Sequence, residues 1–226
     1  MRPLIIMNGE KIDWFHTVIR MLMYLAGVAV LALGMSLQTA SGLGVATLTC
    51  FATTLSMLTG KTLGFWITAT YVAYIVAQFT ILRREFQPRI LLELCFSTLI
   101  GGFTDFFMAV NPLHPAALPI QVETMLLSLA VTAFGVSLVV NMGVVPNAPD
   151  GLVQVIAEKI KRRFGDVKVV FDCSHVAVSL VLSHALMHNL GGFGVTTAIS
   201  ALFLDHVINI ANKLFAQRFV RAAFGK

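Results

Sequence analysis

Gly135-Val-Ser-Leu-Val-Val-Asn-Met-Gly-Val-Val-Pro-Asn-Ala-Pro-Asp-Gly151 is an apolar run that ends in small residues and prolines, and it has a counterpart earlier in the chain. Laid over the stretch that begins at Gly34, it sets Gly135 on Gly34, Ser137 on Ser36, Leu138 on Leu37 and Gly143 on Gly42. After a short slip the match resumes, with Gly165 on Gly60 and Phe171 on Trp66. The unit, roughly one hundred residues long, exceeds a solenoid repeat and in a membrane chain indicates two halves that build a site between them.

Hydrophobic residues make up 57% of the 226 and charged residues 12%, with a mean hydropathy of +0.84. A soluble domain is roughly half apolar and a quarter charged, so the chain reads as an integral membrane protein whose first partner is the lipid bilayer. The net charge of +5 does not indicate nucleic acid, because the basic residues sit in short clusters between apolar runs rather than on one polar face. Cys50, Cys95 and Cys173 lie in apolar stretches at no metal spacing and read as small buried apolar residues.

The polar residues 1 to 15 precede an apolar run from about Thr17 to Leu37 that is too long for a signal-peptide core and lacks a cleavage site, so it is expected to stay as the first span. Gln38 to Gly44 breaks it. Val45 to Leu58 is apolar but short, as in a re-entrant or interfacial helix, and Gly60 ends it. Spans are expected at Gly64 to Leu82, Ile90 to Val110, Glu123 to Val140, Val169 to His188 and Val195 to Ile210. A short helix near Asp150, with Leu152, Ile156 and Ile160 on one face and Lys159 to Arg163 crowding its end, is expected to lie along the membrane surface.

The fold expected is an all-α membrane protein: six transmembrane helices as two inverted three-helix repeats in one membrane domain, each with a short re-entrant or interfacial helix. Repeat one covers about 17 to 110 and repeat two about 123 to 213. With both termini cytoplasmic, every one of the sixteen Lys and Arg residues except Lys61 falls on the inner side. Three spans per repeat is odd, so the halves must be inverted.

Ionisable groups in lipid cost a few kcal/mol and usually face a cavity or a partner. On this ground Asp205 and His206 in the sixth span, Asp105 in the matching third span, and Asp172 with His175 on one face of the fifth are candidates to bind a substrate or ion. Gln38 and Asn141, at the two corresponding helix ends, join them. Asp150 follows Pro149 at a helix start, where its carboxylate can cap backbone N–H groups, or line a substrate path with the freed backbone of Pro146 to Gly151. His184 and His188 have a metal-compatible spacing but no acidic partner in the motif, so no metal or other cofactor is expected. No Gly-x-Ser-x-Gly, Walker-type, HExxH or CxxC motif is present, and an enzyme is not expected.

The break motifs Gly42-Leu-Gly-Val-Ala-Thr-Leu-Thr49 and Gly143-Val-Val-Pro-Asn-Ala-Pro-Asp-Gly151, with Thr59-Gly60-Lys-Thr-Leu-Gly-Phe-Trp66, resemble those of the bacterial YczE/YyaS/YitT-type membrane proteins over about residues 20 to 215. That family's first break usually reads more like Gly-Val-Ser-Pro-Trp-Asp, and here Val45 to Thr49 lacks the Pro, Trp and Asp. The resemblance implies a multi-pass protein of the bacterial inner membrane. Inverted repeats, broken segments and intramembrane acids together imply a small secondary transporter or exporter of a small molecule or ion. The alternative is a non-transporting membrane subunit that docks a partner protein or a second copy of itself.

Overall fold

The computed structural model describes residues 14–83, 88–113, 115–188 and 191–224. The basic positions Arg2, Lys11, Arg84 and Lys226 used in the charge argument lie outside them. The described residues form α1 (Trp14–Ser41), α2 (Thr47–Thr59), α3 (Leu63–Leu82), α4 (Leu92–Val110), α5 (Leu118–Met142), α6 (Ala148–Ile160) and α7 (Phe164–Met187). The last span is α8 (Val195–Ile199), a π-helical turn (Ser200–Leu204) and α9 (Asp205–Phe224) in continuous succession. Six helical stretches are long and apolar enough to cross a membrane, and α2 and α6 are the two short helices between them.

Local chemistry sets the breaks. α2 ends at Gly60, whose φ of +70° is a left-handed conformation that glycine adopts without a Cβ clash. α5 begins with Pro119 in its first turn and ends at Gly143, also left-handed. The Arg20 side chain closes that end, its Nε donating to the Met142 carbonyl at 2.6 Å and its Nη2 to the Gly143 carbonyl at 2.7 Å. A cation there also opposes the negative end of the helix dipole.

The spine of the bundle is the antiparallel pair α1 and α5. Along it Arg20 meets Gly143, Gly27 meets Val139, Leu31 meets Gly135 and Gly34 meets Thr132, one residue number rising as the other falls. α4 packs along α1 and α9 along α5, while the short helices exchange partners: α2 lies against α7 and α6 against α3. The core between them is aromatic and aliphatic, with Tyr71 and Phe96 stacked at 6.5 Å beside Tyr24, Ile67, Ile100 and Met142.

The short helix α6 buries one face, Leu152, Val153 and Ala157 packing against α3 and α7, and leaves Lys159 to Arg163 exposed at its end. Several expectations need correction. α6 starts at Ala148 with Asn147 as the N-cap residue, so Asp150 sits inside the first turn and its side chain is no cap. Cys50 is buried, whereas Cys95 and Cys173 are exposed, because outward positions of a helix in lipid take apolar side chains as readily as inward ones. The spans also reach beyond their sequence limits, α5 starting at Leu118 and α9 running to Phe224, since a helix continues past the apolar layer as long as its backbone bonds do.

Candidate functional site at the second helix break

The two breaks are treated differently by their surroundings. At the first, Gln38 is fully buried; its Nε2 donates to Thr132 Oγ1 at 3.1 Å and its Oε1 accepts from the Ala46 N–H at 3.0 Å, tying the ends of α1 and α2 to α5. The loop before α8 completes the seal: Val45 N–H donates to the Gly192 carbonyl, Thr196 N–H to the Leu43 carbonyl, and Thr197 Oγ1 to the Val45 carbonyl. A Cβ on Gly44 would stand 2.6 Å from the Gly194 nitrogen, so this contact requires glycine. Gln38 is thus a packing and hydrogen-bonding residue.

At the second break, α6 approaches α3 and α4 over a glycine. A Cβ on Gly151 would lie 2.8 Å from Glu93 Oε1. Glu93 and Gln78 are both about 1% exposed and bonded, Gln78 Nε2 donating to Glu93 Oε2 at 2.7 Å, with a longer contact to the Ala148 carbonyl. The first turn of α6 rests on this pair. Glu93 lies in the same apolar run as Asp105, and the rule that an acid in a span deserves scrutiny applies to it equally, although it was not among the candidates.

On the other side of that turn, Asp150 Oδ1 pairs with Lys168 Nζ at 3.0 Å. Asp172 follows Lys168 by one helical turn of α7, and Asp150, Lys168 and Asp205 all act on its carboxyl through space. Three of the candidate acids, from α6, α7 and α9, therefore gather around one lysine. Asp205 is exposed and begins α9 directly after the π-helical turn, a local widening that re-aims the residues behind it. His206 is exposed on the same helix.

His175 is locked into the aromatic wall. Its Nδ1 meets the Phe171 carbonyl at 2.8 Å and must donate there, which leaves Nε2 to accept from the Tyr74 hydroxyl in a neutral ring. Tyr74 stands 6.0 Å from Tyr71, ring centre to ring centre, and 5.5 Å from Phe171. Asp172 Oδ1 is buried without a hydrogen-bond partner. The Tyr71 hydroxyl and the Asn147 side chain lie within hydrogen-bonding reach of each other, and both Tyr71 and Asp172 are within electrostatic reach of Asp150 and of Tyr74. Buried hydroxyls of Thr53 and Thr196 near α2 lack partners too. A Ser or Thr hydroxyl can turn to the carbonyl one helical turn back, whereas a carboxylate oxygen cannot.

The remaining candidates lie apart from this group. Asp105 Oδ1 accepts the Gly64 N–H at 2.7 Å, so it caps the start of α3 from α4, beside an open groove of about 440 Å³ lined by Thr62, Phe65, Thr68 and Gly102. Asn141 Nδ2 donates to Asn212 Oδ1 at 2.8 Å, and Ser137 Oγ donates to the same oxygen, fastening α5 to α9. Asn212 was not among the candidates, although its counterpart Asn111 stands at the same repeat spacing and bonds the matching serine in the opposite direction, its Nδ2 donating to Ser36 Oγ at 3.4 Å. His184 and His188 are exposed, and among the described residues no three His, Cys, Asp or Glu side chains are grouped as for a metal ion.

α3 packs tightly along α4, where a Cβ on Gly101 or Gly64 would collide with the facing backbone, but among the described residues α7 does not pack along α9 in that way. Asp172 of α7 and Asp205 of α9 are nonetheless within electrostatic reach of each other.

These features define a helical membrane-type protein with six spans, two half-length helices and a polar group at one helix break. The family of unknown function DUF6198 matches residues 18–213, and the chain belongs to that family. No curated protein and no solved structure matches it.

Proposed function

We propose that the protein is a small secondary transporter of the bacterial cytoplasmic membrane, with both termini inside and its solute site at the second helix break. The observation that carries this reading is the charged group at that break, where Asp150, Asp172 and Asp205 act on one lysine, Lys168, and Asp172 keeps a buried oxygen without a hydrogen-bond partner. A buried polar atom left unpaired costs on the order of 1–3 kcal/mol, a cost that an occupant removes. The group sits where α7 meets α6, at a broken helix, as in transporters built from inverted repeats. Purified protein in proteoliposomes, tested with cationic, anionic and neutral solutes under proton and sodium gradients, is expected to show counterflow of at least one class. Absence of flux under every gradient sinks the reading.

A second reading is a membrane subunit that docks a partner protein, favoured by the exposed Lys159, Lys161, Arg162 and Arg163 at the α6–α7 turn. Stable co-purification of one partner, lost on neutralising these four residues and accompanied by no flux, decides for it.

A further inference from the structure

The other side of the α6 turn holds a buried acid that the charged group around Lys168 does not use. Glu93 of α4 and Gln78 of α3 are each about 1% exposed, and Gln78 Nε2 donates to Glu93 Oε2 at 2.7 Å. The two oxygens left over, Glu93 Oε1 and Gln78 Oε1, border one spot, lying 2.8 Å and 3.3 Å from the place a Cβ on Gly151 would take. Among the described residues no N–H or O–H donates to either oxygen, and no Lys or Arg pairs with Glu93. The titratable side chains of the neighbouring elements are engaged elsewhere or bring no positive charge. On α1, Arg20 serves the Met142 and Gly143 carbonyls, and Tyr24, within electrostatic reach of Glu93, donates to the Val145 carbonyl at 3.4 Å. On α3, Tyr74 bonds His175 and Tyr71 lies beside Asn147. On α6, Asp150 pairs with Lys168 of α7, and on α4 itself Cys95 is exposed. A carboxylate so placed is a buried charge with a neutral amide as its hydrogen-bond partner, and its other oxygen crowds a second acceptor. One proton removes both conflicts: the charge disappears, and the acid O–H becomes the donor that Gln78 Oε1 lacks.

From this geometry we propose that Glu93 is a proton-binding site, a carboxylic acid paired with the Gln78 amide, and that its proton keeps the first turn of α6 seated. With the proton in place, Gln78 Nε2 donates to Glu93 Oε2, and the O–H on Glu93 Oε1 donates to Gln78 Oε1. Release breaks that O–H bond, sends the proton to solvent and leaves the electron pair on the carboxylate, whose charge then faces the amide oxygen beneath Gly151. α6 bears on both side chains at that glycine, so the turn must lift to admit water to the new charge. The inference rests on the second helix break as the working part of the protein, as in the reading above, and names the proton as the ion coupled to the solute. The proton site itself does not require transport.

The test is infrared difference spectroscopy on the purified full-length protein in detergent, stepped from neutral to alkaline pH. A protonated carboxyl has a C=O stretch above the amide and carboxylate bands. That band is expected at neutral pH, with its loss at the alkaline step and a matching gain of carboxylate absorption. Glu93→Gln, which keeps the side-chain shape, is expected to remove the component that belongs to Glu93. Asp172→Asn, which changes the other acid with a buried oxygen, is expected to keep it. Gln78→Met removes the hydrogen bonds to the acid and is expected to shift the component to higher frequency, and it serves if the Glu93 variant fails to fold. A band unchanged by Glu93→Gln, or by Gln78→Met where only that variant folds, overturns the proposal. Flux in proteoliposomes under a pH gradient separates the site from the transport reading. A Glu93 band without flux of any solute sustains the site and removes the transport reading, and flux without a Glu93 band does the reverse. Where both are present, Glu93→Gln is expected to exchange solute and to lose its response to the pH gradient; a variant that still follows the gradient overturns the coupling.

Discussion

Gly135 of α5 lies against the backbone of Leu31 of α1, so close that a Cβ on the glycine would stand 2.6 Å from the Leu31 nitrogen. The same relationship recurs between Gly34 of α1 and Thr132 of α5, where a Cβ would stand 2.8 Å from the Thr132 nitrogen. Gly34 and Leu31 precede Gly135 and Thr132 by one common spacing, so the two contacts are copies related by a two-fold exchange of the helices. Small residues let helices in lipid approach to backbone contact, where dispersion and weak hydrogen bonds replace the hydrophobic effect. Gly135→Leu must push the pair apart and is expected to cost about 1–3 kcal/mol or more. Gly102→Ala, with nothing within 4 Å of the new methyl group, is expected to be neutral. Denaturant unfolding in detergent measures both, and equal midpoints for wild type and Gly135→Leu would show that the helices do not cross here.

Asp105 was a candidate ligand on sequence grounds, and its bond to the Gly64 N–H makes it a cap. Asp105→Ala is expected to lower stability by about 1 kcal/mol, the usual cost of losing a capping oxygen, while Asp105→Asn retains the acceptor and most of the stability. Flux per folded molecule should be unchanged in both. A folded Asp105→Asn protein without flux would move Asp105 into the solute path.

Asp172 and Asp205 both lie within electrostatic reach of Lys168. Asp172 has a buried oxygen and Asp205 is exposed, so Asp172→Asn is expected to abolish flux. Asp205→Asn acts only through the field and should slow initial rates by roughly two- to fivefold, the range of an exposed charge worth up to about 1 kcal/mol. Initial rates in proteoliposomes, normalised to inserted protein, give the ranking. Wild-type rates in Asp172→Asn, or the reverse ranking, would put the solute elsewhere.

Orientation is checked by single cysteines introduced at Lys61 and Arg163 into a chain lacking Cys50, Cys95 and Cys173. A membrane-impermeant thiol reagent added to intact cells is expected to label position 61 and leave position 163 unmodified until the membrane is permeabilised. External labelling at 163 would invert the topology, because Lys159, Lys161 and Arg162 would then lie outside with it.

Sequence alone determined the class and the number of spans, because a lipid-crossing helix must satisfy every backbone bond internally and present about twenty apolar residues, a condition written locally in the chain. The breaks were legible for a similar reason: Gly60 and Gly143 adopt left-handed conformations that a side chain resists, and Pro149 starts a helix it could not continue. Roles for individual polar residues were not legible, because each depends on what a residue far away in the chain offers. Asp105 became a cap because Gly64 brings a free N–H to it, and Gln38 became a clamp because Ala46 and Thr132 flank it. Glu93 and Asp172 are both acids in spans, yet one is answered by Gln78 and the other has a buried oxygen without a hydrogen-bond partner. Only the tertiary structure decided between them, since hydrogen-bond satisfaction is a property of assembled surfaces: it takes α3, α4 and α6 together to show Gln78 and Glu93 bonded beneath Gly151, and α6 with α7 to show Lys168 paired with Asp150 while an oxygen of Asp172 has no partner.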